Sequence, residues 1–302
     1  MTNTTKTPLP FTVCLTFDFD ALSLWVNNFS ATSPGLASRG EFGAVAVPRI
    51  LALLKKHDVP ATFYVPGHTA LAYPHVVQEI RDAGIEIGFH GWVHESPSRL
   101  EKEEERDTFE KGLAALDKVA GVRPVGYRSP AWDFSANTLS FLKEYEFLYD
   151  SSCMASDYYP YYLRQGDEYS KTEPFRFGEL TEMVECPVSW HLDDVPKFEF
   201  IPRVFPGLGA VQTVEHHWSE EFLYGLENCP DGMLNLTMHP FCIGRGFLQR
   251  MLDRLITLMK SHEGVAFSTV ENYARSWQQS NPIDTWAKEN PTLTGEGSIT
   301  SL

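Results

Sequence analysis

Short apolar runs of strand length alternate with longer segments of helical period along most of this 302-residue chain. Such runs are typical of buried strands, whereas apolar residues spaced three and four apart are typical of helices that pack by one face. The predicted strands are residues 13–17, 61–65, 85–89, 125–127, 183–188, 234–238 and 265–267. The predicted helices are residues 48–57, 75–83, 101–118, 137–145, 214–226, 247–261 and 270–277. This alternation predicts an α/β protein with a parallel sheet, either an open doubly wound sheet or a closed barrel.

Two long connections and a polar tail interrupt the alternation. Loops as long as residues 21–43 and 151–182 are typical of lids, binding loops or oligomer contacts, although ordered surface excursions are equally common. The composition from residue 278 onward, rich in Asn, Pro, Ser, Thr and Gly, indicates a flexible or oligomer-contacting tail. We therefore predict a flexible N-terminus at 1–10, one folded domain at 11–277, a tail at 278–302, and self-association into a homo-oligomer.

The charge balance and the cysteines restrict the class of protein. The chain has 25 positive and 40 negative residues, a net charge of -15, which repels phosphate backbones and argues against nucleic acid as a partner. No apolar window is long enough for a membrane span, and residues 1–10 lack the apolar core of a signal peptide. The five cysteines show no Cys-x-x-Cys spacing. A reduced cytoplasmic enzyme with no membrane partner is expected.

Polar side chains with catalytic chemistry follow four of the predicted strands. They are Asp18, Asp20, His90, His94, Arg128 and His239. In a parallel architecture the carboxyl ends of the strands share one face, and active sites collect there. Two histidines four residues apart can bind one ion if the chain turns helically between them. A carboxylate from Asp18 or Asp20 would complete the three-ligand set of a catalytic zinc site.

Five ordered segments resemble the motifs of the polysaccharide deacetylase family, the NodB-homology enzymes. They are Thr-Phe-Asp-Phe-Asp at 16–20, His-Gly-Trp-Val-His at 90–94, Arg-Ser-Pro-Ala-Trp at 128–132, Tyr-Asp-Ser-Ser at 149–152 and Leu-Thr-Met-His-Pro at 236–240. The resemblance covers residues 11–277. It implies an irregular (β/α) barrel with seven or eight strands. It also implies a metal-dependent hydrolase of non-peptide carbon–nitrogen bonds.

The resemblance assigns the metal ligands to three residues. Asp20, His90 and His94 match the family's ligand set. Zinc is the expected metal because two of the three ligands are nitrogens. Its role would be to polarise the amide carbonyl and to activate a water molecule.

The resemblance also implies the acid and base of the reaction. Asp18 matches the general base, with Arg128 as the partner that holds it, and His239 matches the general acid. Asp150 is expected to tune His239. Phe19 separates the two aspartates, which are adjacent in most members of the family, and this leaves the register of the base open.

The substrate is expected to be a small amide, a cyclic imide or an N-acetylated sugar. The spacing of the aspartates resembles a cytoplasmic branch that includes peptidoglycan-deacetylase-like proteins, cyclic imide hydrolases and allantoinases. Opening of a cyclic imide or ureide is therefore an alternative reaction, and a non-catalytic metal-containing binding module is an alternative of another class. Candidates for substrate contact are Trp25, Trp132, Trp190 and Arg245, although aromatic residues are also common in cores. His68 follows the second strand and is expected near the same face.

Overall fold

The centre of the fold is a curved sheet whose strands are almost all parallel. The computed structural model describes residues 10–298, and within them the sheet has nine strands. The strands are β1 (Phe11–Asp18), β2 (Thr62–Val65), β3 (Glu86–Phe89), β4 (Gly126–Tyr127), β5 (Tyr149–Asp150), β6 (Tyr161–Gln165), β7 (Glu179–Glu185), β8 (Met233–Met238) and β9 (Val265–Phe267). All eight residues of β1 are buried, because neighbouring strands pair with both of its edges.

The strand order curls this sheet into an irregular barrel. The order is β6-β7-β5-β4-β3-β2-β1-β8, with β9 paired to the first half of β1, and only β6 and β7 run antiparallel. The barrel closes where Asp193, in the segment after β7, forms a parallel bridge with Thr237 of β8. The side-chain amide of Asn235 in β8 also donates to the carbonyl oxygens of Cys186 and Pro187. The predicted α/β class is confirmed, and the chain forms the barrel rather than the open sheet.

Helices connect the strands and pack around the sheet. Within residues 10–298 they are α1 (Leu22–Asn27), α2 (Pro34–His57), α3 (Gly67–Ala72), α4 (Pro74–Asp82), α5 (Lys102–Ala120), α6 (Thr138–Glu144), α7 (Val195–Phe198), α8 (Val211–Asn228), α9 (Pro240–Ile243), α10 (Gly246–Lys260), α11 (Val270–Ser280), α12 (Ile283–Glu289) and α13 (Pro291–Thr294). None of these helices combines the length and the apolar character that a bilayer crossing requires.

The connection predicted at residues 21–43 is mostly helical. Helix α2 begins at Pro34, where Ser33 caps it by accepting a hydrogen bond from Leu36 N. It continues through Pro48, which was expected at the start of a shorter helix. Proline costs an interior hydrogen bond, but α2 is held by its packing. At Gly40 an added Cβ would lie 2.5 Å from the carbonyl oxygen of Ala21, so only glycine permits this approach.

The region at 151–182 and the tail also contain regular structure. Strand β6 and the first residues of β7 form an antiparallel hairpin inside the predicted loop. In the tail, α12 packs its buried Trp286 against Tyr162 and Trp277, and Arg164 donates to the carbonyl oxygen of Leu293. The tail therefore contacts the rest of the domain through Trp286 and Leu293, and the predicted domain bounds stay a prediction. Residues 1–9 and 299–302 lie outside the described residues, and the expected oligomer contacts stay a prediction.

Candidate active site

The carboxyl ends of β1, β3, β4 and β8 bring the predicted catalytic side chains to one place. Asp18 is the last residue of β1, and the chain stays extended long enough to present Asp20 on the same side. The intervening Phe19 donates its N–H to the carbonyl of Tyr64 and is fully buried. The main-chain carbonyl of Asp20 accepts hydrogen bonds from Ser23 and Thr69. These contacts fix both aspartates at the mouth of the barrel.

Asp20 lies between the two predicted histidine ligands. Its Oδ1 is 3.3 Å from Nε2 of His90, and its Oδ2 is 3.6 Å from Nε2 of His94. All three side chains are buried, and within the described residues neither carboxylate oxygen of Asp20 has a hydrogen-bond partner. A buried carboxylate without partners is costly unless a cation compensates it. The site therefore fits a divalent metal ion held by these three residues, whose ligand atoms lie within 4.8 Å of one another.

Nδ1 of each histidine forms a hydrogen bond within the protein, which leaves Nε2 free to bind a metal. Nδ1 of His90 is 2.6 Å from the carbonyl oxygen of Arg128, and Nδ1 of His94 is 3.0 Å from Oδ1 of Asn28. Each contact favours a proton on Nδ1 and a lone pair on Nε2. Burial favours the neutral acid of Asp20, but His94 and His90 outweigh it and hold its pKa at about 2. Burial lowers the pKa of His94, whereas at His90 the carboxylates of Asp20 and Asp18 outweigh burial and raise the pKa.

A tight loop, rather than the expected helical turn, carries the second histidine. Both Gly91 and His94 have positive φ angles, of 71° and 61°. The buried carboxylate of Glu95 accepts the N–H groups of Trp92 and Val93 and so holds the loop closed. Neither Glu95 nor Asn28 was expected at the site from the sequence. Their roles depend on contacts that residue spacing does not encode.

Asp18 forms a buried ion pair with Arg128. Oδ1 of Asp18 is 2.8 Å from Nη1 of Arg128, and both side chains are almost completely buried. The guanidinium also donates to Thr16 Oγ1 and to the Ser151 carbonyl and hydroxyl, and it lies 4.2 Å from the centre of the Tyr64 ring. With its donors satisfied and its position fixed, Arg128 neutralises one oxygen of Asp18. The other oxygen remains directed into the site.

His239 meets the same site from the end of β8. Its Nε2 is 3.9 Å from Oδ2 of Asp18 and 3.8 Å from Oδ2 of Asp20. Its Nδ1 is 2.8 Å from Oδ1 of Asp194, and its main-chain N–H also donates to that carboxylate. Burial alone would lower the pKa of His239, but Asp193, Asp194 and Asp20 outweigh it and raise the pKa to about 10. An imidazolium with a proton on Nε2 therefore faces the site.

The partner of His239 is Asp194 and not Asp150. Asp150 accepts hydrogen bonds from the N–H and hydroxyl of Ser152, and Glu185 lies beside it and accepts the same N–H. Among the described contacts Asp150 has none with His239, so the expected tuning role is corrected. Asp194 could have been suspected from the acidic pair after Trp190. Its approach to His239 depends on the bridge that the neighbouring Asp193 makes with β8.

The four predicted substrate contacts are in different environments. Trp25 is fully buried against Phe29 and Phe241, so the expectation that it touches substrate is corrected. Trp132 and Trp190 lie with ring centres 4.2 Å apart, and Trp190 is 42% exposed. Both tryptophans are four residues from a site residue along the chain: Trp132 follows Arg128, and Trp190 precedes Asp194.

Within residues 10–298, no hydrogen bond or ion pair joins the side chain of either remaining candidate to Asp18 or Asp20. Arg245 is exposed and lies over the ring of Phe42, beside a separate cavity. His68 is half-buried against the edge of Trp92, and its Nδ1 has no partner among the described residues. Burial lowers the pKa of His68, which favours the neutral imidazole.

Comparison with known proteins gives consistent matches over most of the chain. The family model for polysaccharide deacetylase matches residues 6–149. A peptidoglycan deacetylase of Helicobacter pylori is 33% identical over 279 residues, which cover 88% of this chain and 95% of that protein. A Mycobacterium smegmatis structure assigned to the polysaccharide deacetylases has a TM-score of 0.80 at 34% identity, covering 91% and 92% of the two chains. An allantoinase structure shares the fold, with a TM-score of 0.73 at 23% identity over 92% and 96% of the chains.

Proposed function

This chain belongs to the polysaccharide deacetylase family, hydrolases of carbon–nitrogen bonds other than peptide bonds, and we propose that it deacetylates an N-acetylated amino sugar at a zinc site. The observation that carries the proposal is the buried carboxylate of Asp20, whose two oxygens face His90 and His94 and have no hydrogen-bond partner in the described residues. Two nitrogen ligands and one oxygen ligand favour zinc over harder ions.

Zinc held by Asp20, His90 and His94 would supply Lewis acidity, polarising the amide carbonyl and lowering the pKa of the attacking water. Asp18 accepts the proton of that water through Oδ2, because Arg128 occupies Oδ1. A carbon–oxygen bond forms at the carbonyl as this proton leaves.

His239 completes the reaction on the leaving group. Its Nε2 proton passes to the amide nitrogen as the carbon–nitrogen bond breaks, so an amine departs instead of an amide anion. Asp194 holds Nδ1 and thus directs Nε2 into the site. Acetic acid, which ionises to acetate in solution, and a free amino sugar are the products, and the proton taken up by Asp18 balances the proton given by His239.

The relatives and the site mouth support an amino sugar as substrate. The relative from Helicobacter pylori is a peptidoglycan deacetylase, and peptidoglycan contains N-acetylated sugars. The paired rings of Trp132 and Trp190 offer an aromatic surface on which a sugar ring can stack. We infer a cytoplasmic location from the five free cysteines, which suit a reducing compartment.

Ring opening of a cyclic imide or ureide is the second candidate. The burial of Asp18 and His239 favours it, since both side chains are at least nine-tenths covered and a small ring reaches them more easily than a polymer. The same base and acid would serve, because only the leaving group differs.

Metal analysis and a substrate panel test the proposal. The purified protein should contain about one zinc ion per chain, and it should hydrolyse N-acetylglucosamine oligomers faster than hydantoin or succinimide. Asp18→Asn should abolish turnover, whereas the control Asp82→Asn, on an exposed carboxylate, should not. Faster hydrolysis of the rings would favour the second candidate. Stoichiometric metal with no turnover of any amide would favour a binding module.

A further inference from the structure

A second cavity lies beside α9, the short helix that follows His239. Its volume is about 340 Å³, and its walls include Arg39, Glu199, Phe200, Cys242, Arg245 and Phe247. Cys242 connects it to the active site, because its thiol lies 3.6 Å from the carbonyl oxygen of Asp194. A ligand in this cavity would therefore lie close behind the residue that holds His239.

The cavity has more positive than negative charge. Arg39 forms an ion pair with Glu199 and donates to the carbonyl oxygen of Phe200. The guanidinium of Arg245 has no hydrogen bond or ion pair among residues 10–298, and it lies 3.7 Å from the centre of the Phe42 ring. Burial and the neighbouring Arg245 lower the pKa of Arg39, so the two guanidinium groups repel each other. Glu199 compensates only one of the two charges.

The walls strengthen the attraction for an anion. Phe200, Phe247 and Leu248 contribute apolar surface, which displaces water and weakens the screening of the two arginines. Guanidinium groups pair with carboxylate and phosphate through two parallel hydrogen bonds. The chain as a whole carries a net charge of -15, so a local excess of positive charge is not a general property of its surface.

We propose that this cavity binds a small anion, a carboxylate or a phosphate, between Arg39 and Arg245. The anion compensates the second guanidinium and relieves the repulsion between the pair. Two sources share this chemistry, an acidic group carried by the substrate and a free inorganic anion.

Titration calorimetry with inorganic phosphate tests the site on the metal-containing protein. Wild type should bind phosphate, and Arg245→Gln should weaken that binding about tenfold or more because a charge-assisted pair is lost. Arg250→Gln is the matched control, since Arg250 is an exposed arginine of α10 that does not line the cavity. Arg245→Lys keeps the charge and should bind with intermediate affinity, which covers the case that Arg245→Gln folds poorly. Phosphate bound at the metal would remain in every variant.

Kinetic competition identifies the source of the anion. Phosphate that competes with N-acetylmuramic acid but not with N-acetylglucosamine supports an acidic group on the substrate, because only the former sugar carries a carboxylate. Phosphate that binds and competes with neither sugar supports a free anion. Equal phosphate affinity in wild type and Arg245→Gln would overturn the proposal, and so would the absence of phosphate binding to wild type.

Discussion

Asp194 holds His239 through two groups, the main-chain N–H at 3.0 Å and the ring Nδ1 at 2.8 Å. A single carboxylate thus sets both the position of the backbone at the end of β8 and the direction of the imidazole. The same carboxylate is one of the negative groups that raise the pKa of His239 to about 10. Orientation and protonation of the proposed acid therefore depend on one side chain from a different part of the chain.

Replacing Asp194 by asparagine should change the pH profile as well as the rate. Asn keeps an oxygen that accepts from Nδ1 but lacks the charge, so the pKa of His239 falls from about 10. The acid then loses its proton at lower pH, and the basic limb of kcat against pH moves in that direction. Asp82→Asn is the control. A profile that keeps its basic limb while kcat drops would show that Asp194 acts only on structure.

Two substitutions at the proposed metal site should lower zinc affinity by different amounts. Asn28→Ala removes the outer partner of His94 and should lower affinity about 10- to 100-fold, the usual cost of losing such a contact. Asp20→Asn removes a proposed ligand and should cost more. A competition titration with a chromophoric chelator measures both, and the melting temperature of wild type should fall on chelation. If the zinc affinity of Asn28→Ala equals that of wild type, Asn28 does not support metal binding.

The buried ion pair should be important for stability. Arg128→Met leaves Asp18 as an unpaired buried charge, which costs about 3–5 kcal/mol of unfolding free energy. Arg123→Met removes an exposed pair with Glu146 and should change stability by less than about 1 kcal/mol. Urea unfolding monitored by circular dichroism compares the two variants. Similar losses in both would contradict the assignment of Arg128 as a fully buried partner of Asp18.

Substitution of two tryptophans should distinguish a role in core packing from a role in substrate binding. Trp25→Ala creates a cavity in the core and should cost about 3–5 kcal/mol of stability. Trp190→Ala removes a partly exposed ring and should cost less than about 1 kcal/mol, yet it should raise KM for a sugar substrate. Thermal unfolding and steady-state kinetics are the measurements. A KM in Trp190→Ala equal to that of wild type would show that the Trp190 ring does not stack on the sugar.

Many of the site residues could be predicted from the sequence, because they lie at the ends of predicted strands. Asp18, Asp20 and His239 each lie at or just after the carboxyl end of a predicted strand, and the parallel sheet brings those ends to one face. The motif resemblance then separated Asp20 from Asp18 as the residue beside the histidines. In the structure Asp20 lies beside the histidines and Asp18 pairs with Arg128, and the roles of the two aspartates stay a prediction.

The residues that hold the predicted site residues in place could not be predicted in this way. Asn28 directly follows α1, Glu95 closes the loop that carries His94, and Asp194 lies in an irregular segment after β7. None of them belongs to a periodic pattern. Each acts through contacts with residues 2 to 66 positions away, and such contacts form only when the loops are packed.

By itself the sequence determined the strand and helix alternation and the chemical groups at the strand ends, because periodicity and residue type are local properties. The tertiary structure decided which of the aromatic candidates are buried, for Trp25 lies in the core while Trp190 is partly exposed. It also decided that Asp194 rather than Asp150 contacts His239. Burial and choice of partner depend on which distant segments meet, and the bridge between Asp193 and β8 that makes this choice arises only when the barrel closes.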